Sequence, residues 1–191
     1  HGINVTVPFK NKVIKYLDKL SLEVETTGSV NTIYKNGDDI IGHNTDVAGF
    51  ELGLRHSKID VLHKSILILG AGGVVPSIIY SLLSMGCKKI FLSNRTIEKA
   101  ENIKKKFNEI EVLKWGKIPD FDIVINATSV GLKGDSLDLD LKTKDKIFYD
   151  IIYNPKETQF LKKAKENGNR IENGIFMFIY QANQSFSIWN N

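Results

Sequence analysis

Hydrophobic positions fall into two rhythms along the chain. Ile3, Val5 and Val7 alternate with Asn4 and Thr6, which predicts a half-buried strand that Pro8 stops. Lys12 to Leu20 carries Val13, Ile14, Tyr16, Leu17 and Leu20 at helical spacing and reads as a short amphipathic helix. A hairpin follows: Val30 to Tyr34 is rich in strand formers, Asn36-Gly37-Asp38 signals a turn, and Ile40-Ile41 resumes the strand until Gly42. Thr45-Asp46 marks a helix start, with Val47, Phe50, Leu52 and Leu54 as an imperfect apolar face. Ser57 to Lys64 lacks any period and reads as a linker or helix end.

From Ser65 the rhythm changes to short apolar strands alternating with helices. Ile66 to Leu69 runs into Gly70-Ala71-Gly72-Gly73, then an apolar helical stretch to Met85, then Lys89 to Leu92, then a helix from Ile97 to Phe107. That order is βαβ, which implies parallel strands joined by right-handed crossovers. Glu111 to Leu113, Asp122 to Ile125 and Ile147 to Asp150 read as further strands, and Glu157 to Asn167 and Asn173 to Asn190 as closing helices. The last helix sets Ile175, Phe178, Ile179, Ala182, Phe186 and Trp189 on one stripe. The expected fold class is α/β: a Rossmann-type doubly wound parallel sheet over residues 58–172, a partial α/β substrate domain over 1–57, and a C-terminal helix over 173–191 that packs back on the first domain.

Composition narrows the function. The 191 residues are 42% hydrophobic and 25% charged, enough apolar mass for a core and too much for disorder. The longest apolar runs fall far short of the roughly 20 residues that span a bilayer, so no membrane protein is expected. The single cysteine, Cys87, has no partner for an internal disulfide and no basic-then-apolar leader precedes the first strand, which points to the cytoplasm. Net charge is +4, from 23 Lys and 3 Arg against 22 acids, with the lysines dispersed in short clusters. No basic stripe interleaved with aromatics and no zinc-finger spacing is present, so neither a nucleic-acid partner nor a metal site is expected. The chain opens in mid-strand without a Met, and an upstream segment is anticipated.

Candidate chemistry gathers at the glycine turn. Gly70, Gly72 and Gly73 lie between an apolar strand and a helix, where backbone N–H groups meet a pyrophosphate without side-chain obstruction; the alternative is a tight turn with no ligand. Val75-Pro76 departs from the full glycine pattern, although proline is tolerated in a first helical turn. An NAD site places an acid about 20 residues beyond the glycines. Here that strand ends Ser93-Asn94-Arg95-Thr96, with no acid, and Arg95 offers a planar fork to a ribose 2′-phosphate. NADP is the expected cofactor, against the plainer reading of a solvated Arg95 and a helix-capping Thr96. Ahead of this unit, Asn4 and Thr6 share a strand face with Lys10 just beyond, and Asn31, Asn44 and Asp46 add amides and a carboxylate; each alone is an ordinary cap or surface group.

Together these segments resemble the shikimate dehydrogenase family. The resemblance rests on Gly2 to Lys10, Gly28 to Thr32, Gly42 to Asp46, Gly70 to Gly73, Asn94 to Thr96, Asn126 to Ser129 with Gly131, Asp150 to Tyr153, and Asn173-Gly174 with Gln181-Ala182 and Phe186, in the family's order along the whole chain. It implies reversible NADP-dependent reduction of the ring ketone of 3-dehydroshikimate to shikimate. Lys10 and Asp46 match the family's catalytic pair. Asn4, Thr6, Asn31, Tyr153 and Gln181 match substrate-holding positions. Gly70, Ala71, Gly72, Gly73, Val74, Asn94, Arg95, Thr96, Thr128, Ile151 and Gly174 match the cofactor side. A lysine ammonium beside the reacting oxygen stabilises alkoxide charge and donates the proton, with a carboxylate to orient it.

Family members begin with further strand and helix units that carry a Ser-x-Ser substrate-carboxylate site, which has no counterpart here. Two rival readings follow: an NAD-dependent quinate or shikimate dehydrogenase, and a catalytically inert dinucleotide-binding fragment. The expected partner is the small-molecule substrate, and the expected assembly a monomer or homodimer.

Overall fold

Residues 2–43 alternate too briefly for long strands. In the computed structural model, which describes residues 2–190, they assemble into a four-stranded sheet of β1 (Gly2–Asn4), β2 (Lys19–Leu20), β3 (Thr32–Asn36) and β4 (Asp39–His43), ordered β1-β3-β4-β2. The predicted hairpin is present, with Asn36 opposite Asp39. The helix expected over Lys12 to Leu20 is not. Only a single 3-10 turn forms at Ile14–Tyr16, after which β2 joins β4 in parallel. Tertiary pairing outweighs the helical period: Asp18 and Ser21 donate their N–H groups to Ile40 and Gly42, each at 2.9 Å, while Leu17 and Leu20 pack against the bare Cα of Gly42. A six-residue helix, α1 (Leu22–Thr27), follows and ends at Gly28, whose φ of 65° suits a glycine terminus.

Asn44 caps α2 (Thr45–His56) by accepting the Asp46 N–H, so this helix starts where the sequence places it. The aperiodic stretch after it is no loose linker, because Ile59 and Val61 are buried in the core.

The chain then alternates through β5 (Ser65–Leu69), α3 (Val75–Ser84), β6 (Lys89–Ser93), α4 (Ile97–Lys104), β7 (Glu111–Leu113), β8 (Ile123–Asn126), β9 (Ile147–Asp150), α5 (Gln159–Glu166), β10 (Arg170–Asn173) and α6 (Ile175–Asn190). All six strands from β5 onward are parallel, ordered β10-β9-β8-β5-β6-β7. Counted from β5 this is 3-2-1-4-5-6, the Rossmann-type arrangement. β10, a half-exposed polar edge strand, carries no apolar alternation and was not expected.

Burial explains the order. Ile66, Leu67, Ile68 and Leu69 have no exposed surface, as a central strand covered on both faces requires. Ile66 and Ile68 join one core layer with Phe50, Ile78, Ile79 and Leu82, and Leu67 and Leu69 join the other with Phe148, Phe160 and Leu161. Truncating Ile68 to alanine would remove about 2–5 kcal/mol through lost burial and the cavity left behind.

The closing helix α6 packs on α2, with a different face inward from the predicted stripe. Phe178, Ile179 and Phe186 are 44%, 48% and 63% exposed, whereas Met177 and Ser185 are buried. The cause is close approach: a Cβ on Gly49 would meet the Gln181 backbone N at 2.8 Å, and one on Gly53 the Met177 N at 2.9 Å. Two glycines four apart on α2 make a groove for the α6 backbone, so packing follows the groove and not the apolar stripe. Trp189, at the stripe's end, does turn inward and donates to the Ile33 carbonyl at 3.2 Å.

Candidate active site

The polar residues of the first sixty positions converge. Lys10 follows β1 and is anchored through its carbonyl, which accepts the Val30 N–H at 2.8 Å. Its ammonium forms an ion pair with Oδ2 of Asp46, in the first turn of α2. The other oxygen, Oδ1, accepts from Nδ2 of Asn31 at 3.0 Å, and the same amide reaches Thr45 Oγ1 at 2.9 Å and Gln181 Oε1 at 3.4 Å. Asn31 Oδ1 in turn accepts the Thr45 N–H at 2.8 Å. The Lys10 and Asp46 side chains are only 13% and 8% exposed. Removing either partner therefore leaves an uncompensated charge in a low-dielectric site. An ammonium held in this way can donate a proton to, or stabilise charge on, an oxygen placed before it.

The second half of the site lies at the carboxyl ends of the parallel strands. The chain winds from β5 through β6 to β7 on one side, then restarts at β8 on the other side of β5, and a crevice opens at that switch point. Gly70 sits there with φ 110°, and a Cβ on it would lie 2.7 Å from the Ala127 carbonyl oxygen. No side chain caps α3, but its first turn offers no free donor, because Pro76 has no N–H and the Val75 and Ser77 N–H groups bond to the Gly72 and Val74 carbonyls at 3.0 and 3.1 Å. The backbone donors facing the crevice are those of the turn ahead of the helix, at its positive dipole end. Gly174 plays a similar part between β10 and α6: a Cβ there would come within 2.1 Å of the Ile151 carbonyl oxygen. Just beyond β6, exposed Arg95 reaches the crevice while Asn94 Nδ2 donates to the Thr96 carbonyl at 2.7 Å.

Both halves face one cleft of about 940 Å³, large for a small-molecule site. Of the residues singled out in the sequence, Lys10, Asp46, Asn4, Thr6, Asn31, Tyr153 and Gln181 border it, as do Gly70 to Val74, Asn94, Arg95, Thr128, Ile151 and Gly174. Thr96 does not. It precedes α4 and its hydroxyl caps nothing. Sequence reasoning passed over Lys99, Trp115 and Phe178, which also border the cleft. Lys99 had a usable signal, since it stands four residues after Arg95 in the first turn of α4. Phe178 stacks on Tyr153 at 4.7 Å between ring centres and is part of the outward stripe. Among the described residues no cluster of three His, Cys, Asp or Glu side chains is placed to hold a metal ion, and no helix is long and apolar enough to cross a membrane.

A 3-2-1-4-5-6 parallel sheet with a glycine turn at its switch point, opposed by a lysine-carboxylate pair, defines a two-lobed oxidoreductase of the dinucleotide-binding class. Known proteins narrow this class. Residues 1–33 match the model of the shikimate dehydrogenase substrate binding domain, and residues 53–133 that of shikimate / quinate 5-dehydrogenase. A shikimate dehydrogenase (NADP(+)) of Pelagibacter ubique is 55% identical over 193 residues, covering 100% of this chain and 73% of the relative. The crystal structure of shikimate dehydrogenase from Aquifex aeolicus is 41% identical with a TM-score of 0.89, over 99% of this chain and 71% of that one. The Thermus thermophilus shikimate 5-dehydrogenase in complex with NADP(H) and shikimate is 30% identical, also at 0.89, over 98% and 72%. The chain belongs to the shikimate dehydrogenase family.

Proposed function

We propose that this protein catalyses the reversible NADPH-dependent reduction of 3-dehydroshikimate to shikimate. The observation that carries the reading is the convergence of Lys10 and Asp46 on the cleft that also holds the glycine turn. Support comes from the P. ubique relative's name, shikimate dehydrogenase (NADP(+)), and from the T. thermophilus complex with NADP(H) and shikimate.

The residues present fit an NADP dinucleotide. The Gly70–Val74 turn, at the positive dipole end of α3, offers backbone donors to a pyrophosphate, and Gly174 keeps the facing wall free of a side chain. Arg95 and Lys99 put two cations, and no carboxylate, where a 2′-phosphate would lie. Bound there, the dinucleotide supplies or accepts the hydride.

Lys10 stabilises the alkoxide charge that grows on the ketone oxygen and gives it a proton. Asp46 orients the ammonium, and Asn31 holds Asp46 from behind. Asn4, Thr6, Asn31, Tyr153 and Gln181 bind the substrate's hydroxyl and carboxylate groups. In the opposite direction the neutral amine of Lys10, the form left by proton donation, takes the hydroxyl proton and becomes the ammonium again as hydride leaves for the oxidised dinucleotide. The reading assigns catalysis to residues 1–57, cofactor binding to 58–172 and closure of the substrate side to 173–191, in a cytoplasmic monomer or homodimer. Initial rates with shikimate or quinate and NADP or NAD test it. Shikimate with NADP is expected to be turned over fastest, and a preference for quinate with NAD would overturn the reading.

A further inference from the structure

Asp150 ends β9 with no exposed surface, and no step above uses it. Its carboxylate is surrounded by donors. Oδ1 accepts from Asn126 Nδ2 at 3.1 Å and from the Ile152 N–H at 3.0 Å, and Oδ2 from Thr158 Oγ1 at 2.6 Å. Burial pushes this carboxyl above its ordinary value, and the three donors pull it back. Asn126, at the end of neighbouring β8, is equally buried and fully bonded. Its other Nδ2 proton goes to the Val130 carbonyl at 3.1 Å, and its Oδ1 accepts both the N–H and the hydroxyl of Thr128, at 3.1 and 2.7 Å. Thr128 Oγ1 then accepts the Val130 N–H at 3.1 Å.

Oδ1 of Asp150 already accepts the Ile152 N–H, so it meets Asn126 as an acceptor and decides which end of the amide faces it. The NH₂ must turn toward Asp150, and that leaves the carbonyl end toward Thr128. A flipped amide would set oxygen against oxygen at Asp150 and two donors against the Thr128 N–H.

We propose that Asp150 is a positioning residue for the cofactor side of the cleft: through the amide of Asn126 it clamps the 127–131 loop, and through the Ile152 N–H it holds the turn leading to Tyr153. Both segments border the cleft, and the Gly70 turn packs on Ala127. Thr158 is the outer arm of the network, capping α5 through the Leu161 N–H. This inference rests on the reading of the cleft as a cofactor site.

The test separates the two arms. With no ligand present, amide hydrogen exchange at Thr128 and Val130 should quicken at least about tenfold in both Asp150→Ala and Asn126→Ala, each of which orphans buried hydrogen bonds. NADPH Kd, read by fluorescence titration, should rise about tenfold in both, with the double variant no worse than either single one. In Asn126→Ala the KM for shikimate should stay within about twofold. Thr158→Val keeps the methyl that Gly131 packs against, and should lower Tm while leaving that exchange and the NADPH Kd unchanged. Should Asp150→Ala not fold, Asn126→Ala and Thr158→Val still decide. Native exchange or native NADPH affinity in Asn126→Ala, or equal loosening by Thr158→Val, overturns the proposal. Failure of the unaltered protein to bind NADPH would sink the cofactor reading and leave the exchange measurement to judge the clamp.

Discussion

Asn31 and Lys10 hold opposite oxygens of Asp46, the amide at Oδ1 from 3.0 Å and the ammonium at Oδ2. The carboxylate therefore cannot rotate without losing one of them. Asn31 is itself 4% exposed and accepts the Thr45 N–H, so Asn31→Ala orphans a backbone donor and frees the carboxylate together. Each orphaned buried group costs about 1–3 kcal/mol. Thermal unfolding should shift down by roughly 3–10 °C for a chain of this size, and kcat should fall at least about tenfold as the ammonium loses its fixed aim. A variant with native Tm and native kcat would remove Asn31 from this role.

Lys10→Ala separates binding from chemistry. The side chain borders the cleft paired to Asp46, and no contact joins its ammonium to the glycine turn among those of the described residues. Losing a positioned proton donor should lower kcat by about 10² to 10⁴, while the NADPH Kd measured by fluorescence titration stays within about twofold. An unchanged kcat would take Lys10 out of the mechanism. Lys10→Met, which keeps most of the stem, should fail like alanine, because the charge and its proton are what the step needs.

The sequence showed the parallel half of the fold well because its central strands β5, β6, β8 and β9 are apolar runs closed by a turn or helix signal, and such runs bury on both faces. Short, half-exposed elements were opaque. β2 is two residues long, and β10 draws its place from pairing with β9 and not from its own pattern. For α6 the period was right and the buried face wrong, since Gly49 and Gly53, on another helix, choose the contact. At the site, the residue types of Lys10 and Asp46 were legible only as family motifs. Periodicity does not bring together groups 36 positions apart.

Cys87 offers a pH probe outside the cleft. Burial pushes its thiol from 9.0 up to about 11. The native protein thus holds this proton across the window from pH 9 to about 11, where the unfolded chain has released it. The contribution to stability is complete below pH 9 and is lost as pH rises through that window. Cys87→Ser should flatten the alkaline fall in Tm relative to the unaltered protein. At pH 8, iodoacetamide should alkylate the native thiol about 100-fold more slowly than the urea-unfolded chain, in proportion to thiolate. Equal rates would show an unshifted thiol.

Arg95 and Lys99 border the cleft from β6 and the first turn of α4, and neither has a carboxylate partner among the ion pairs of the described residues. Two free cations bordering one cleft favour an anion there, and under the proposed function that anion is the 2′-phosphate. NAD lacks that group. Arg95→Asp should accordingly weaken NADPH by about 10- to 100-fold, the scale of a lost charge-assisted hydrogen bond plus repulsion, and NADH by less than about threefold. Lys99→Ala should do the same more mildly, because a point charge without a planar fork gives less geometry to lose. High salt should narrow the NADPH to NADH ratio in the unaltered protein and leave it nearly flat in an Arg95→Ala/Lys99→Ala double variant, which has neither cation to screen. Titrations in which both cofactors weaken equally would show that these two residues support the fold of the crevice and do not select the phosphate.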